Sequence, residues 1–173
     1  RFSMSNWKNK NLSVGNKSEN SKLANWIDVK NFGIKNTVKF INKNFKKSIR
    51  KKLSLIDVGC ADGYLTESLA ALNFRKCAGL EPRKSSIQRG KNIRKFLKIK
   101  ERVKYYPLSI NQISKKLKFD LVTCFGVLHH TNNIYKNLEK ILLLANKMLI
   151  LEGEFIPENL YKNKKFYNQG QLK

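Results

Sequence analysis

The chain has 173 residues, enough for one domain with a real core, and carries 36 Lys and Arg against 12 Asp and Glu, a formal net charge of +24. No apolar run approaches the length of a membrane span and no basic start leads into an apolar stretch, so a cytoplasmic protein with no membrane partner is expected. Cys60, Cys77 and Cys124 are far apart and include no C-x-x-C pair, which argues against a disulfide frame and a zinc site and predicts buried thiols and no metal.

In chain order, residues 1–33 are polar, rich in Asn, Ser and Lys, and dotted with Trp7, Trp26 and Phe32. That composition predicts an extended or poorly ordered arm anchored by a few aromatics. Trp26 is a candidate for a lid over a ligand or for an indole filling a surface groove. From Ile34 onward Ile34, Val38, Ile41 and Phe45 share one helical face, while Lys35, Lys39, Lys43 and Lys46 cover the others. This helix is expected to lie against a sheet, just before its first strand.

Leu53-Ser54-Leu55-Ile56-Asp57-Val58 is an apolar run of strand length, followed by Gly59-Cys60-Ala61-Asp62-Gly63-Tyr64. Then Leu65, Leu69 and Leu72 fall at helical spacing. Strand, tight turn and helix in that order form the unit at which open α/β sheets bind nucleotides. A P-loop needs Gly-Lys followed by Ser or Thr, but Tyr64 and Leu65 follow Gly63. A G-x-G-x-x-G fingerprint starting at Gly59 needs its third glycine where Tyr64 stands. What remains is Asp-x-Gly-x-Ala-x-Gly, in which Ala61 is tolerable if its φ stays negative.

Cys77-Ala78-Gly79-Leu80-Glu81 is a second apolar run ending in an acid, 24 positions after Asp57, about where nucleotide-binding α/β units put a carboxylate on ribose hydroxyls. Its alternative is a surface acid at a strand end. Pro82 stops the strand, and Ser85 or Ser86 is a candidate cap for a basic helix running to about Leu97. Val103 to Leu108 reads as a third strand, Phe119 to Cys124 as a fourth continuing into Phe125-Gly126-Val127-Leu128-His129-His130, and Lys147 to Glu152 as a fifth. Ile134, Leu138, Ile141, Leu142 and Ala145 mark the intervening helix. Strands alternating with helices predict a Rossmann-like, doubly wound, mostly parallel sheet covered on both sides.

The turn Asp57-x-Gly59-x-Ala61-x-Gly63 resembles motif I of the class I S-adenosylmethionine (SAM)-dependent methyltransferases, with Ala61 where that family most often has its middle glycine. Gly79-Leu80-Glu81-Pro82, Tyr106 to Ile110, Phe119 to Val122, Gly126 to His130 and Leu149 to Glu152 occur in the order and spacing of the superfamily, and the likeness runs from about Leu53 to Phe155. The run from Pro107 through His130 looks most like the branch of tRNA wobble-uridine methoxy and carboxymethoxy transferases. That branch has Tyr-His where this chain has His129-His130, and a separate N-terminal RNA-contacting region for which the first 33 residues are too short.

The resemblance implies that SAM is the cofactor, in its ordinary rather than carboxylated form. It places Asp57 at the methionine end and Gly59, Cys60, Ala61 and Gly63 as backbone contacts. Glu81, with Pro82, becomes the ribose clamp. Ser109 and Ile110 stand at the adenine, where the family often has an acid, and Phe125 and Gly126 line the amino-acid end. His129 or His130 is the candidate base for a hydroxyl acceptor, its alternative being to shape the pocket or cap the next helix. Glu152 and Glu154 stand on the substrate side.

The family fold adds a helix and an antiparallel hairpin, yet 21 residues follow Glu152, and the chain starts at Arg1 rather than Met. Either Gly153 to Lys173 is a short substitute or, as is expected here, the natural chain extends past Lys173, with residues 34–173 forming the methyltransferase domain and its C-terminal hairpin missing or truncated. The acceptor is expected to be a tRNA or a small molecule, against the alternative of a non-catalytic module that binds SAM or RNA. The basic charge has two explanations, contact with a nucleic acid or the Lys, Asn and Ile excess of an AT-rich genome. On the second, Lys8, Lys10, Lys43, Lys46, Lys47, Arg50, Lys51 and Lys52 are in part solvated bystanders.

Overall fold

In a computed structural model of the chain, residues 33–96, 100–114 and 116–153 are described. The expected arm, Trp7, Trp26, Phe32, Glu154 and the closing segment lie outside them.

Five strands form one parallel sheet: β1 (Ser54–Val58), β2 (Lys76–Leu80), β3 (Val103–Tyr106), β4 (Phe119–Phe125) and β5 (Ala145–Glu152). Their order is β3-β2-β1-β4-β5, and every pairing is parallel. The chain winds outward from β1 to β3, then crosses to the other side of β1 and winds outward again. The sheet therefore has its topological switch point between β1 and β4, the crevice in which such folds bind ligands.

Neighbouring residues on each inner strand go to opposite faces, and both faces are covered. Leu55, Cys77 and Leu121 join Ile34, Ile41 and Leu69 in one core layer. Ile56, Ala78 and Val122 join Ile141 and Leu144 in the other. The helix over 33–44 thus packs where its apolar stripe predicts, with Ile34 and Ile41 buried. The cysteines are free and buried, as expected, and burial pushes the Cys77 and Cys124 thiols up to about 12.

Two expectations are corrected. Arg50 is no solvated bystander: it is 7% exposed, ends the short helix Lys47–Arg50, donates from Nε to the Leu72 carbonyl (2.9 Å) and bonds the Phe45 carbonyl. Its planar fork satisfies the carbonyls of two separate segments at once, which no periodicity signals. Ser85 and Ser86 do not cap the basic helix, because that helix spans Lys84–Phe96 and takes both into its first turn. The first helical residue, Lys84, stands two positions before the earliest start that a Ser85 cap would allow.

Candidate functional site

β1 delivers Asp57 to the carboxyl edge of the sheet, 2% exposed. A carboxylate at that depth must be hydrogen-bonded. Thr66, in the helix Tyr64–Ala70, donates to Oδ2 at 2.6 Å, and Thr123 of β4, the register partner of Asp57, donates to Oδ1 at 2.8 Å. One acid thereby ties together the two strands that flank the switch point and the helix that follows the turn.

The turn alternates left-handed residues with ordinary ones. Gly59 has φ +74° and Gly63 +85°. A Cβ on Gly59 would overlap Val127 of the loop after β4, and one on Gly63 would overlap the Tyr105 hydroxyl. Ala61 also lies in this region, at φ +50°, which overturns the expectation of a negative φ there. The backbone keeps the shape that a middle glycine would have, and the alanine bears a left-handed penalty of about 1–2 kcal/mol. What holds it is a hydrogen bond from its own amide to Glu81 Oε2, at 3.1 Å.

Glu81, at the exit of β2, is 2% exposed and stands against the glycine turn. Its Oε1 accepts from the Arg83 amide (3.0 Å) and Arg83 Nε (2.7 Å), while Arg83 Nη2 reaches Oε2 at 3.5 Å. Burial alone would raise this carboxyl, but the Arg83 bonds and charge outweigh it and hold the group below the usual carboxylate range. The Arg83 side chain is 67% exposed. The arrangement is a buried acid with a solvent-facing cation laid over it. Pro82, the residue after Glu81, is exposed.

Cys60 packs into the angle between the two acids, where burial and the Asp57 and Glu81 charges drive its thiol far above the ordinary range. A Cβ on Gly79 would come within 2.7 Å of its sulfur, so that glycine of β2 makes room for the turn. Behind the turn lies a buried network that sequence reasoning missed. Glu67, 4% exposed, accepts from Arg94 Nη1 (2.9 Å) and from the Tyr105 hydroxyl (2.8 Å), and the Arg94 guanidinium stands 4.3 Å from the Tyr105 ring centre. Thr66 and Thr123 were missed as well. The signal available was Thr123 itself, a polar residue inside the apolar run Leu121-Val122-Thr123-Cys124.

The remaining candidates sit around the same edge. Ser109 and Gln112 form a capping box that opens the short turn Ile110–Gln112, and Ile110 is 8% exposed within the core layer under β2 and β4. Phe125 ends β4, and Gly126, at φ +64°, donates its amide to the Glu152 carbonyl of β5 (2.9 Å). His129 and His130 are exposed in the turn Leu128–His130, their ring centres 4.0 Å apart. A Cβ on Gly126 would lie 3.9 Å from both His129 Cε1 and Glu152 Oε2, so imidazole and carboxylate border one open point. The helix Ile134–Leu144 is capped by Asn133, whose side chain accepts from the Lys136 amide, rather than by either histidine.

Asp57, Glu81, the glycine turn and the Gly126–His130 loop therefore meet at one edge of the sheet. Among the described residues no group of three or more His, Cys, Asp or Glu is placed to hold a metal ion, and no helix is long and apolar enough to cross a membrane.

Residues 31–164 match a family model described as a methyltransferase domain. A tRNA U34 carboxymethyltransferase of Aliivibrio salmonicida is 33% identical over 110 residues, covering 64% of this chain and 33% of that protein. The enzyme of the same name from Serratia proteamaculans is 30% identical over 107 residues, covering 62% and 32%. The chain thus spans about a third of the length of these curated relatives. Among solved structures, magnesium protoporphyrin IX methyltransferase from Synechocystis PCC 6803 with bound SAM superposes with a TM-score of 0.61 at 20% identity, over 73% of this chain and 59% of that one. That likeness is one of fold.

Proposed function

The chain belongs to the methyltransferase-domain family, of the class I SAM-dependent kind, and from that premise we propose that it transfers a methyl group from SAM to a tRNA or small-molecule acceptor. The observation that carries the reading is Glu81: a buried carboxylate held against a left-handed glycine turn at the switch point of a parallel sheet. That geometry suits a nucleoside whose ribose hydroxyls donate to the acid while its polar tail follows the turn.

In this reading Glu81 takes the ribose and the backbone at Gly59, Cys60, Ala61 and Gly63 takes the methionine portion. Asp57 has a threonine hydroxyl on each oxygen. It supplies negative charge at the ammonium end from behind the turn and fixes the turn's shape. Ile110 and Ser109 border the base, and Phe125 and Gly126 the amino-acid end.

SAM, when bound, supplies a methyl carbon already made electrophilic by its sulfonium, so the chain's task is alignment and exclusion of water. Glu81 and the backbone of the glycine turn would hold the donor so that an acceptor's lone pair could displace its sulfur in line, the bonding electrons leaving with that sulfur. A hydroxyl or protonated nitrogen acceptor must also lose a proton. His129 and His130 are exposed and close to the open point over Gly126, where an imidazole takes that proton.

The relatives' name supports a tRNA acceptor, and the positive charge is compatible with one. A cytoplasmic location goes with that reading. The rival, a module that binds SAM or RNA without turnover, draws on Arg83, which already occupies the acid that ribose would use. Calorimetric titration with SAM, followed by transfer of labelled methyl to total tRNA and to a small-molecule extract, separates these readings. Absence of SAM binding at millimolar donor would overturn the proposal, and binding without transfer to either pool would favour the module.

A further inference from the structure

Exposed cations cover much of the described surface, Arg83 and Lys84 at the site edge included, but one set of them is aligned by the fold. In a parallel sheet all strands start at one edge, and here each start carries an exposed cation: Lys52 before β1, Arg75 before β2, Arg102 before β3, Lys118 before β4 and Lys147 near the beginning of β5. The acids of the site, Asp57, Glu81 and Glu152, stand at the opposite edge, together with Asp62. Two acids share the basic edge. One is Glu101, and the other is Asp120, whose carboxylate accepts from the Ser54 amide at 2.8 Å and hydroxyl at 2.9 Å and feels Lys147 and Arg75.

Part of this charge has a local use. Helices of an α/β fold end at the edge where the strands start, and their terminal carbonyls attract cations. Lys118 bonds the Leu143 carbonyl in this way, and Arg75 Nε reaches the Lys52 carbonyl at 3.2 Å. The side chains of Lys52, Lys76 and Arg102 project as exposed cations on three adjoining strands, with Lys76 Nζ 5.0 Å from the centre of the Phe119 ring.

From these positions we infer that the strand-start edge is a docking surface for the phosphate backbone of a folded RNA. Five strand starts spaced about 4.8 Å apart make a row of roughly 19 Å, the shape of a backbone track rather than of a plane. The five residues of β1 separate this row from the candidate site by about 16 Å at roughly 3.3 Å per residue. A mononucleotide in the cleft cannot touch the row, so the partner must be extended, gripped at one edge while another part of it reaches the other. The inference deepens the nucleic-acid form of the proposed function and does not depend on donor binding.

The test uses the full chain and fluorescein-labelled total tRNA, read by anisotropy across about 50–300 mM KCl. The edge variant is K52E/K76E/R102E, and the control is K35E/K39E/K43E on the exposed side of the helix over 33–44, which changes the charge equally. Circular dichroism checks the fold, and SAM calorimetry reports the cleft separately. The edge variant is expected to bind roughly 30-fold or more weakly at about 100 mM KCl and to flatten the log–log salt dependence by about 2, at about 0.7–0.9 for each phosphate no longer neutralised. The control is expected to weaken by less than about 3-fold, with SAM binding the same in all three proteins. Equal effects in both variants, or no effect in the edge variant, would overturn the assignment. So would weaker binding to phosphatidylserine vesicles with tRNA binding intact, which would make the edge a membrane-facing surface.

Discussion

Replacing Arg83 with alanine is expected to tighten donor binding, the opposite of what removing a cation beside a ligand acid usually brings. Glu81 has four acceptor positions. Oε1 receives the Arg83 amide and Nε, and Oε2 receives the Ala61 amide and, at 3.5 Å, Arg83 Nη2. Two ribose hydroxyls need two of these, and the backbone amides hold the other two. The guanidinium must therefore leave as the sugar arrives. Its side chain is 67% exposed, so the contact is a solvent-screened pair worth about 0.2–1 kcal/mol. R83A removes that competitor and keeps both amide bonds, so the dissociation constant for SAM should fall by up to about fivefold, at 1.4 kcal/mol per tenfold. E81Q keeps a carbonyl acceptor but loses the charge, and should weaken binding by about 1.5–3 kcal/mol, roughly 10- to 150-fold. Raising KCl screens the pair, so the wild-type constant should converge on that of R83A. Calorimetry with SAM and with its demethylated product gives all these values. If R83A weakens binding instead, the guanidinium is part of the donor site and the competition argument is wrong.

Other outcomes follow from the same geometry. Glu81 titrates below its ordinary value of 4.5 in the folded chain, so its stabilising contribution is present above that value and is lost as pH falls through the lowered one. Urea midpoints of wild type and R83A should differ above about pH 4.5 and converge as pH falls below it. R94M takes the guanidinium from Glu67, leaving that buried acid the Tyr105 hydroxyl, and should cost about 3–5 kcal/mol in urea unfolding, while E67Q/R94M should recover at least half of that. A61G exchanges a left-handed penalty of about 1–2 kcal/mol for a more flexible unfolded chain worth about 0.4–1 kcal/mol. Its melting temperature should rise by about 1–4 °C with SAM affinity unchanged.

The fold was legible because apolar runs alternate with helical stripes, although the stripe expected from Ile134 to Ala145 holds only in part: Ile134 and Leu142 are exposed and Ala145 opens β5. The strand expected at Phe119 to Cys124 is β4 with one residue added, and the helix stripe starting at Ile34 packs as its period requires. Glu81 was legible too, since its distance from Asp57 is set by the length of one strand–helix unit. Features made by residues distant in sequence were not. Thr123 meets Asp57 only through strand register, Arg94 meets Glu67 only through helix packing, and Arg50 is buried by carbonyls of two separate segments. Arg83 lies two residues from its acid, but its pull on Glu81 depends on a side-chain rotamer that no spacing rule fixes. Ala61 was misjudged because the rule for alanine considers one residue alone, whereas the Glu81 carboxylate holds that amide in place.

Asp57 with its two threonines has a consequence for how such a chain drifts. Each oxygen of the acid is met by a hydroxyl from a different element, so changing any one of the three leaves the other two mismatched in a dry setting. Single replacements should each look harmful, while concerted ones are far milder than their separate effects imply. Lineages are then expected to exchange these three positions as a set, and covariation among them, rather than invariance of the acid alone, would be the trace they leave.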